Sequence, residues 1–214
     1  MSTLASQVAD KLLEISAIRL SPNEPFTWAS GLRSPIYCDN RISLSHPEVR
    51  DFIKESLKSK VWAFGDFDAV AGVATAGIPH GVLLADRVSK PFLYVRSKSK
   101  SHGRQNKIEG ELHEGQRILV VEDLISTGMS SVAACEAIQE AGGQVIGVLA
   151  IFTYGLKKSL QLFTEKKIPM DSLTNYETLL EQAVANNHIT LKEKETLDNW
   201  NKDPLAWSES IQSK

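Results

Sequence analysis

The stretch of sequence that decides the fold is Ile118-Leu-Val-Val-Glu-Asp-Leu-Ile-Ser-Thr-Gly-Met-Ser-Ser131. Its first four residues are apolar and mostly β-branched, which indicates a buried parallel strand. Glu122 and Asp123 follow at the carboxyl end of that strand. After a hydroxyl-rich loop around Gly128, apolar residues recur at helical spacing as far as Gly142. This order of strand, acidic pair, loop and helix is typical of a ligand site at the carboxyl edge of an open α/β sheet.

The residue types in this stretch favour a sugar phosphate as the ligand. The loop 126–131 combines a glycine, hydroxyl side chains and the amino end of a helix, and these can bind one phosphate group. Glu122 and Asp123 would repel that phosphate, but ionised carboxylates accept hydrogen bonds from the vicinal hydroxyls of a sugar. Each part alone is commonly structural, and the combination in this order favours a site. The sequence has neither a P-loop nor a Gly-x-Gly-x-x-Gly motif, so triphosphate and dinucleotide binding lack support.

Residues 120–130, Val-Val-Glu-Asp-Leu-Ile-Ser-Thr-Gly-Met-Ser, resemble the phosphoribosyl pyrophosphate (PRPP) motif of the type I phosphoribosyltransferases. That resemblance implies PRPP as one substrate and the α/β fold of that family. It does not identify the acceptor of the phosphoribosyl group, because the motif is shared by the whole superfamily.

The remaining pattern of the chain agrees with an α/β fold. Apolar runs at 69–73, 92–95 and 145–152 predict further buried strands, and helical patterns cover 45–60 and 82–88. Strands that alternate with helices predict a mainly parallel, twisted sheet flanked by helices.

Two regions lie outside that alternation. Phe26–Asp39 contains two short extended pieces around Ser30-Gly31, which predict a small N-terminal cap, or hood. After Leu156 the sequence is predicted to be helical, with helices over 160–166, 176–185 and 191–200 packed around the sheet. We therefore expect one domain over residues 1–214, divided into a base-covering hood with the first helix (1–40), an α/β core (41–155) and C-terminal helices (156–214).

The bulk properties are those of an ordinary globular protein. Of 214 residues, 42% are hydrophobic and 23% charged, and the net charge of −2 gives no general attraction to nucleic acid or to anionic membranes. Cys38 and Cys135 belong to no CxxC motif, so we expect reduced thiols. No signal peptide is recognisable, and no apolar run approaches the roughly 20 residues of a membrane span, so a cytoplasmic location is expected.

Two further segments are expected beside the loop 126–131. Thr75-Ala-Gly-Ile-Pro79 also follows a predicted strand, although such a turn alone is ordinary connection chemistry. Residues 96–107, Arg-Ser-Lys-Ser-Lys-Ser-His-Gly-Arg-Gln-Asn-Lys, contain no acid and lie in a connection of more than twenty residues. Long connections of this kind are usually lids or disordered. A solvated charge run and a nucleic-acid arm are alternatives, and the position of this segment favours a lid that closes over a polyanion.

Three motifs together resemble the orotate phosphoribosyltransferase family: Phe26-Thr-x-x-Ser-Gly-x-x-Ser-Pro35, Tyr94-Val-Arg-x-x-x-Lys-x-His-Gly103 and the loop after Glu122-Asp123. Membership implies transfer of the 5-phosphoribosyl group from PRPP to orotate, with Mg²⁺ held by PRPP rather than by direct protein ligands. It implies a homodimer with the lid 96–107 acting across the interface. It further implies catalytic roles for Asp123, Lys100 and His102.

The resemblance also assigns the binding residues. PRPP would be bound by Arg96, Lys100, His102, Glu122, Asp123, Leu124, Ile125, Ser126, Thr127, Gly128, Met129 and Ser130. Orotate would be bound by Ser126, Trp28, Ala29 and Tyr37. For the aromatic residues of the hood, packing of the cap onto the core is an equally good interpretation.

The sequence departs from the better-known bacterial members at four positions. Those members carry lysines where this chain has Ala29, Ala76 and Ser97, and an arginine near Tyr154. Either orotate is anchored through backbone groups and Lys98, or the acceptor differs. A purine phosphoribosyltransferase is the first alternative, and a non-catalytic PRPP-binding regulator is the second. Scattered histidines give no spacing suited to zinc.

Overall fold

The computed structural model describes residues 2–28, 30–97 and 107–212, and the predictions for Ala29, Lys98, Lys100 and His102 lie outside them. The strands are β1 (Ile18–Leu20), β2 (Phe26–Thr27), β3 (Arg33–Ser34), β4 (Ile36–Cys38), β5 (Ala69–Val73), β6 (Phe92–Val95), β7 (Ile108–Glu109), β8 (Arg117–Ile125), β9 (Gln144–Thr153) and β10 (Met170–Asn175). The helices are α1 (Leu4–Glu14), α2 (Pro47–Lys60), α3 (Gly77–Arg87), α4 (Met129–Glu140), α5 (Lys157–Glu165), α6 (Tyr176–Ala185), α7 (Leu191–Lys202) and α8 (Pro204–Gln212). These residues form two compact units, here called the sheet unit (47–173) and the hood unit (2–46 with 174–212).

The sheet unit is built on a sheet whose described strands lie in the order β10-β9-β8-β5-β6-β7. Strands β6, β5, β8 and β9 are parallel, and β7 is antiparallel to β6. Residues 118–121 of β8 are fully buried, because helices cover both faces of the sheet. On one face Ala69, Ala71 and Val73 join a cluster with α4 and α5, and on the other face α3 packs on β5 and β8. The α/β fold with a mainly parallel sheet is confirmed.

The hood unit combines residues from both ends of the chain. Its two-stranded sheets pair β1 with β4 and β2 with β3, both antiparallel. Ser34 is fully buried, and its Oγ donates to the carbonyl of Ile36 at 2.9 Å, which fixes the turn between β3 and β4. Helix α1 packs on α6, and α8 packs on β3. The hairpin-like cap is therefore confirmed, and the division of 1–214 into hood, core and tail stays a prediction.

The chain path contains two strands that were not expected. Residues 170–175 are strand β10, although 145–152 was expected to be the last strand. Residues 108–109 are strand β7, which lies within the long connection expected between β6 and β8. Helices α6 to α8 belong to the hood unit, and the expected packing of the C-terminal helices around the sheet stays a prediction.

The ends of several elements also differ. Helix α3 begins at Gly77, five residues earlier than expected, and β8 continues through the acidic pair to Ile125. No helix among the described residues is both long enough and apolar enough to cross a membrane.

Candidate functional site

The site is formed where the connections after β5 and β8 diverge. The two strands are adjacent and parallel, with Gly72 opposite Val121. The chain after β5 leads through α3 to β6 on one side, and the chain after β8 leads through α4 to β9 on the other. In open α/β sheets this divergence creates a crevice that binds ligands. The expectation that the two loops lie at one sheet edge is confirmed.

Gly77 lets the amino end of α3 approach β8 directly. A Cβ atom at this position would lie 2.6 Å from the carbonyl oxygen of Val121 and 3.4 Å from Glu122 Oε1. The preceding peptide bond between Ala74 and Thr75 is cis. Gly77 lies against Val121 and Glu122 so closely that a Cβ atom at this position would clash with β8.

Gly128 has a similar role at the amino end of α4. It adopts φ +81°, and a Cβ atom there would lie 2.9 Å from Phe163 Cε2. Neither α3 nor α4 has an acidic residue in its first turn, and no described side chain caps either helix. Two helix amino ends at one sheet edge, without acidic groups of their own, suit the binding of anions.

The carboxylate of Glu122 is turned into the protein. The residue is 4% exposed, and its Oε2 accepts a hydrogen bond from Ser131 Oγ at 3.1 Å. Its Oε1 accepts from the backbone N–H of Asp123 at 3.1 Å, and Ser130 Oγ lies 3.5 Å from Oε2. Burial, and then the neighbouring charge of Asp123, raise the pKa of Glu122 well above its ordinary value. Asp123 is only half-buried, so it is the more exposed carboxylate of the pair.

The remaining residues of the predicted PRPP loop differ in exposure. Ile125 is fully buried, and its carbonyl accepts from the backbone N–H of Tyr154 at 3.0 Å. Leu124, Ser126 and Thr127 are half-buried, whereas Met129 is 58% exposed and Ser130 is exposed. Because Ile125 is buried as a whole residue, its contact with PRPP stays a prediction.

Arg96 lies beside this loop at the start of the predicted lid. Its backbone N–H donates to the carbonyl of Lys107 at 2.8 Å, and its Nη1 lies 3.4 Å from Glu109 Oε1. Arg96, Lys107 and Ser130 line a cavity of about 100 Å³ between the ends of β5 and β6 and the first turns of α4. The structure thus brings Arg96 and Ser130 together, and the pairing of Arg96 with Glu109 was not anticipated.

Trp28 and Tyr37, the described aromatic residues predicted to bind orotate, make packing contacts within the hood unit. Trp28 Nε1 donates to the carbonyl of Ile36 at 3.3 Å, and its ring stands edge-on to that of Trp200. The Tyr37 ring lies 5.8 Å from that of Phe26, and the Arg19 guanidinium lies 4.9 Å from the Tyr37 centroid. These contacts show how the hood is packed, and the binding roles of both residues stay predictions.

Three described positions differ from the residues of the better-known bacterial members. Ala76 precedes α3 as its N-cap, and Ser97 is exposed. Tyr154 is 2% exposed and packs edge-on against Phe152 at 5.3 Å between centroids. Within the described ranges, no group of three or more His, Cys, Asp and Glu side chains could hold a metal ion.

Two contacts at the site were not predicted from the sequence. Ser131 was expected among the hydroxyl donors of the loop 126–131, but its Oγ donates to Glu122 Oε2. Glu109 pairs with Arg96, and nothing in the local pattern of Glu109 marks it. His80 on α3 is 1% exposed, and neither ring nitrogen has a hydrogen-bond partner among the described residues. Burial lowers the pKa of His80 to about 4.

Comparisons with known proteins support the resemblance to phosphoribosyltransferases over nearly the whole chain. The profile of the phosphoribosyl transferase domain matches residues 41–178. The chain is 53% identical over 206 residues to an orotate phosphoribosyltransferase of Listeria monocytogenes, covering 96% of this chain and 99% of the relative.

Solved structures are also similar. The orotate phosphoribosyltransferase of Aeropyrum pernix is 30% identical with a TM-score of 0.73, covering 82% of this chain and 97% of that chain. An orotate phosphoribosyltransferase of Mycobacterium tuberculosis, solved in complex with PRPP, shares the fold at 23% identity, with a TM-score of 0.65 and coverage of 83% and 99%.

Proposed function

The chain belongs to the phosphoribosyl transferase family and, within it, to the orotate phosphoribosyltransferases, and on that premise we propose how its residues perform the transfer. The enzyme transfers the 5-phosphoribosyl group of PRPP to N1 of orotate, which yields orotidine 5'-phosphate and pyrophosphate in pyrimidine biosynthesis. The observation that carries this function is the near full-length similarity to orotate phosphoribosyltransferases, together with an intact PRPP motif at the divergence of β5 and β8. That similarity favours orotate over a purine base and over a non-catalytic regulator.

The loop after β8 is the proposed site of the ribose 5-phosphate. Backbone N–H groups of the first turn of α4, with the hydroxyls of Ser126, Thr127 and Ser130, supply donors without a competing acid in that turn. Gly128 supports this assignment because its left-handed backbone allows the sharp entry into α4. PRPP contacts are also proposed for Glu122 to Ile125, at the end of β8, and for Met129. These contacts rest on the PRPP motif of residues 120–130.

Asp123 is proposed to stabilise the positive charge that develops on the ribose ring as its bond to pyrophosphate lengthens. A fixed carboxylate in a partly buried site performs this task better than water, because its orientation is set before the reaction. The internal hydrogen bonds and raised pKa of Glu122 support a different role for that residue, which is to hold the end of β8 against Ser131. Asp123 is therefore proposed as the catalytic carboxylate.

Pyrophosphate is proposed to be bound by Arg96, Lys100 and His102. Their positive charge balances the negative charge that accumulates on the leaving group. His102 could also donate a proton to it, since the ordinary pKa of histidine lies near neutrality. The position of Arg96 next to Ser130 supports this proposal, and the roles of Lys100 and His102 rest on the sequence motif.

Mg²⁺ is proposed as the cofactor, bound to PRPP and not to a protein cage. This assignment fits the chemistry of Mg²⁺, which keeps several waters and commonly binds through substrate phosphates, so no direct protein ligand is proposed. When bound, Mg²⁺ would neutralise part of the charge on pyrophosphate.

The hood is proposed to bind orotate through Trp28, Ala29 and Tyr37, with Ser126 from the loop after β8. A homodimer is proposed, with residues 96–107 of one subunit closing over the site of the other. Neither a nucleic acid nor a membrane is a proposed partner, and the cytoplasm is the proposed location.

The test of the function is an absorbance assay with purified protein, Mg²⁺, PRPP and orotate. We expect PRPP-dependent loss of the ultraviolet absorbance of orotate, and no reaction when adenine, guanine or hypoxanthine replaces it. Turnover of a purine base without turnover of orotate would contradict the assignment of the acceptor. Calorimetric titration with PRPP and Mg²⁺ alone tests the PRPP site independently of the acceptor.

A further inference from the structure

The hood hairpin, defined as β2, β3 and the described turn residues 28 and 30–32, is held by two residues far along the chain. The backbone N–H of Arg33 on β3 donates to Ser208 Oγ of α8 at 2.9 Å. Ser208 is only 2% exposed and Arg33 is half-buried, so this bond is partly shielded from water. The Trp200 ring of α7 packs edge-on to Trp28, with 5.9 Å between centroids and an interplanar angle of 82°. We call Trp200 and Ser208 the clamp.

The clamp is itself firmly anchored. Trp200 is fully buried, and its ring lies 5.6 Å from that of Tyr176 at the start of α6. Tyr176 Oη donates to the carbonyl of Leu197 on α7 at 3.0 Å. Trp200 is therefore part of a packed helical layer, and Ser208 is buried on α8, which packs on α7. Both can impose a position on the hairpin.

The hairpin is too small to fix its own position. Strands β2 and β3 have two residues each, and two-stranded hairpins of this size are marginally stable alone. Inside the hairpin, Trp28 N–H donates to the carbonyl of Leu32 at 2.8 Å, and Arg33 Nη1 donates to Thr27 Oγ1 at 3.0 Å. These bonds define the shape of the hairpin.

The hairpin is attached to the rest of the hood unit on two sides. On the first side, the Phe26 ring packs against Tyr37 of β4, and Trp28 Nε1 donates to the carbonyl of Ile36. On the second side, the clamp connects it to α7 and α8. The clamp therefore helps to define the place of the hairpin in the hood unit.

We propose that Ser208 and Trp200 are positioning residues for orotate, because they hold the hairpin whose turn begins at Trp28. This inference rests on the proposed function, in which the hood binds the base. A hairpin released from the clamp spends a smaller fraction of time in the binding-competent position. The apparent affinity for orotate falls by that fraction. The affinity for PRPP stays the same, since the proposed PRPP residues lie in the sheet unit.

The deciding comparison uses three variants of α8. Ser208→Ala removes the acceptor of the Arg33 N–H, and Ser208→Thr restores a hydroxyl. Ser210→Ala is the matched control, because Ser210 is exposed on the same helix and its Oγ donates only locally, to the carbonyl of Trp207 at 2.7 Å. The measurements are KM for orotate, kcat, the Kd for PRPP by calorimetry and the thermal midpoint.

For Ser208→Ala we expect KM for orotate to rise about tenfold, the effect of leaving one buried donor unpaired. We expect kcat and the Kd for PRPP to stay within about twofold of wild type. Ser208→Thr should recover most of the affinity, and Ser210→Ala should behave as wild type. Trp200→Phe, which keeps an aromatic ring, should raise KM for orotate less than Trp200→Leu.

An unchanged KM for orotate in Ser208→Ala, with an active wild-type enzyme, would overturn the inference. A parallel loss of orotate affinity, PRPP affinity and thermal midpoint would also overturn it, because that pattern marks a general structural role. Absence of orotate turnover by the wild-type protein is a different result, which would refute the proposed function itself.

Discussion

Glu122 and Asp123 are neighbours in the chain, yet their carboxylates have different surroundings. Successive side chains of β8 point to opposite faces, so Glu122 is directed towards Gly77 and Ser131. Asp123 is left at the more open carboxyl end of the strand. The pair itself could be recognised from the sequence, because the motif is local. The burial of Glu122 could not, since it depends on a glycine at the start of α3 and on a serine beyond the motif. The two acids therefore have separable roles.

The first prediction follows from this difference. Asp123→Asn is expected to lower kcat/KM by about 10²–10³, the usual cost of removing one charge that stabilises a transition state. Glu122→Gln should lower it by less than about tenfold, because glutamine can still accept from Ser131 and the charge of Glu122 is already disfavoured. Steady-state assays with orotate and PRPP check both values. Asp66→Asn, at an exposed position of the sheet unit, is the control. Equal losses of kcat/KM in the two variants would show that the two carboxylates act together in catalysis.

His80 supports a prediction about stability and pH. Its folded pKa of about 4 lies below the ordinary value of 6.5, so the unfolded chain binds a proton first as pH falls. The stability of the wild type should therefore decrease between about pH 7 and pH 4, by up to about 3 kcal/mol from this residue alone. Urea unfolding at several pH values measures the effect.

The matched variants are His80→Leu and His113→Leu. His80→Leu should lose this part of the pH dependence, because leucine fills the buried position without a titrating group. His113→Leu, at an exposed position of the same unit, should keep the wild-type slope. If the two variants have the same slope, burial of the His80 ring is not its cause.

Two elements show what the sequence pattern could and could not predict. The central strands were predicted because their burial on both faces requires continuous apolar runs, as in Ile118–Val121. Strand β10 was missed because it lies at the edge of the sheet and carries polar residues such as Asp171. Its position is supported by tertiary contacts, since Lys60 Nζ donates to Asp171 Oδ2 and to the carbonyl of Ser172, each at 2.8 Å. A local pattern does not contain such contacts.

The hairpin of β6 and β7 gives a prediction for PRPP. Glu109 partly neutralises Arg96, the cation proposed for pyrophosphate. Glu109→Gln should therefore lower KM for PRPP by up to about fivefold, because a partly exposed ion pair contributes at most about 1 kcal/mol. The effect should shrink at high salt. Glu111→Gln, two residues further and exposed, should leave KM for PRPP unchanged. A higher KM for PRPP in Glu109→Gln would mean that Glu109 orients Arg96 for binding.

At the scale of the whole molecule, the described residues form two units. The proposed PRPP residues lie in the sheet unit, and the proposed orotate residues of the hood lie in the other. The sequence indicated the sheet unit well, because βαβ alternation is a repeated signal. It did not indicate that residues 174–212 join residues 2–46, since packing between distant segments such as Trp28 and Trp200 has no periodic signature.

The proposed dimer gives a prediction at this scale. Lys100→Ala and Asp123→Asn proteins should each be nearly inactive. If the lid acts across a two-fold dimer, a 1:1 mixture should recover about a quarter of wild-type activity after subunit exchange, because half the dimers are hybrid and each has one intact site. A 1:1 mixture of Asp123→Asn with Glu122→Gln is the control, because both residues lie at the end of β8. The activity of this mixture should be the mean of the activities of the two separate proteins. No recovery after demonstrated exchange would indicate a lid that acts within its own subunit.

The joining of both chain ends in the hood unit has a consequence for biosynthesis. The ribosome releases residues 2–46 first, but the helices that complete their unit are the last described residues to emerge. The sheet unit is continuous in sequence, so it can fold while translation is still under way. The hood strands must wait as an unfinished nascent segment, because Trp28 can meet Trp200 only after residues 174–212 have emerged. Chaperone protection of the newborn N-terminus is therefore most needed early, before the carboxyl-terminal helices arrive.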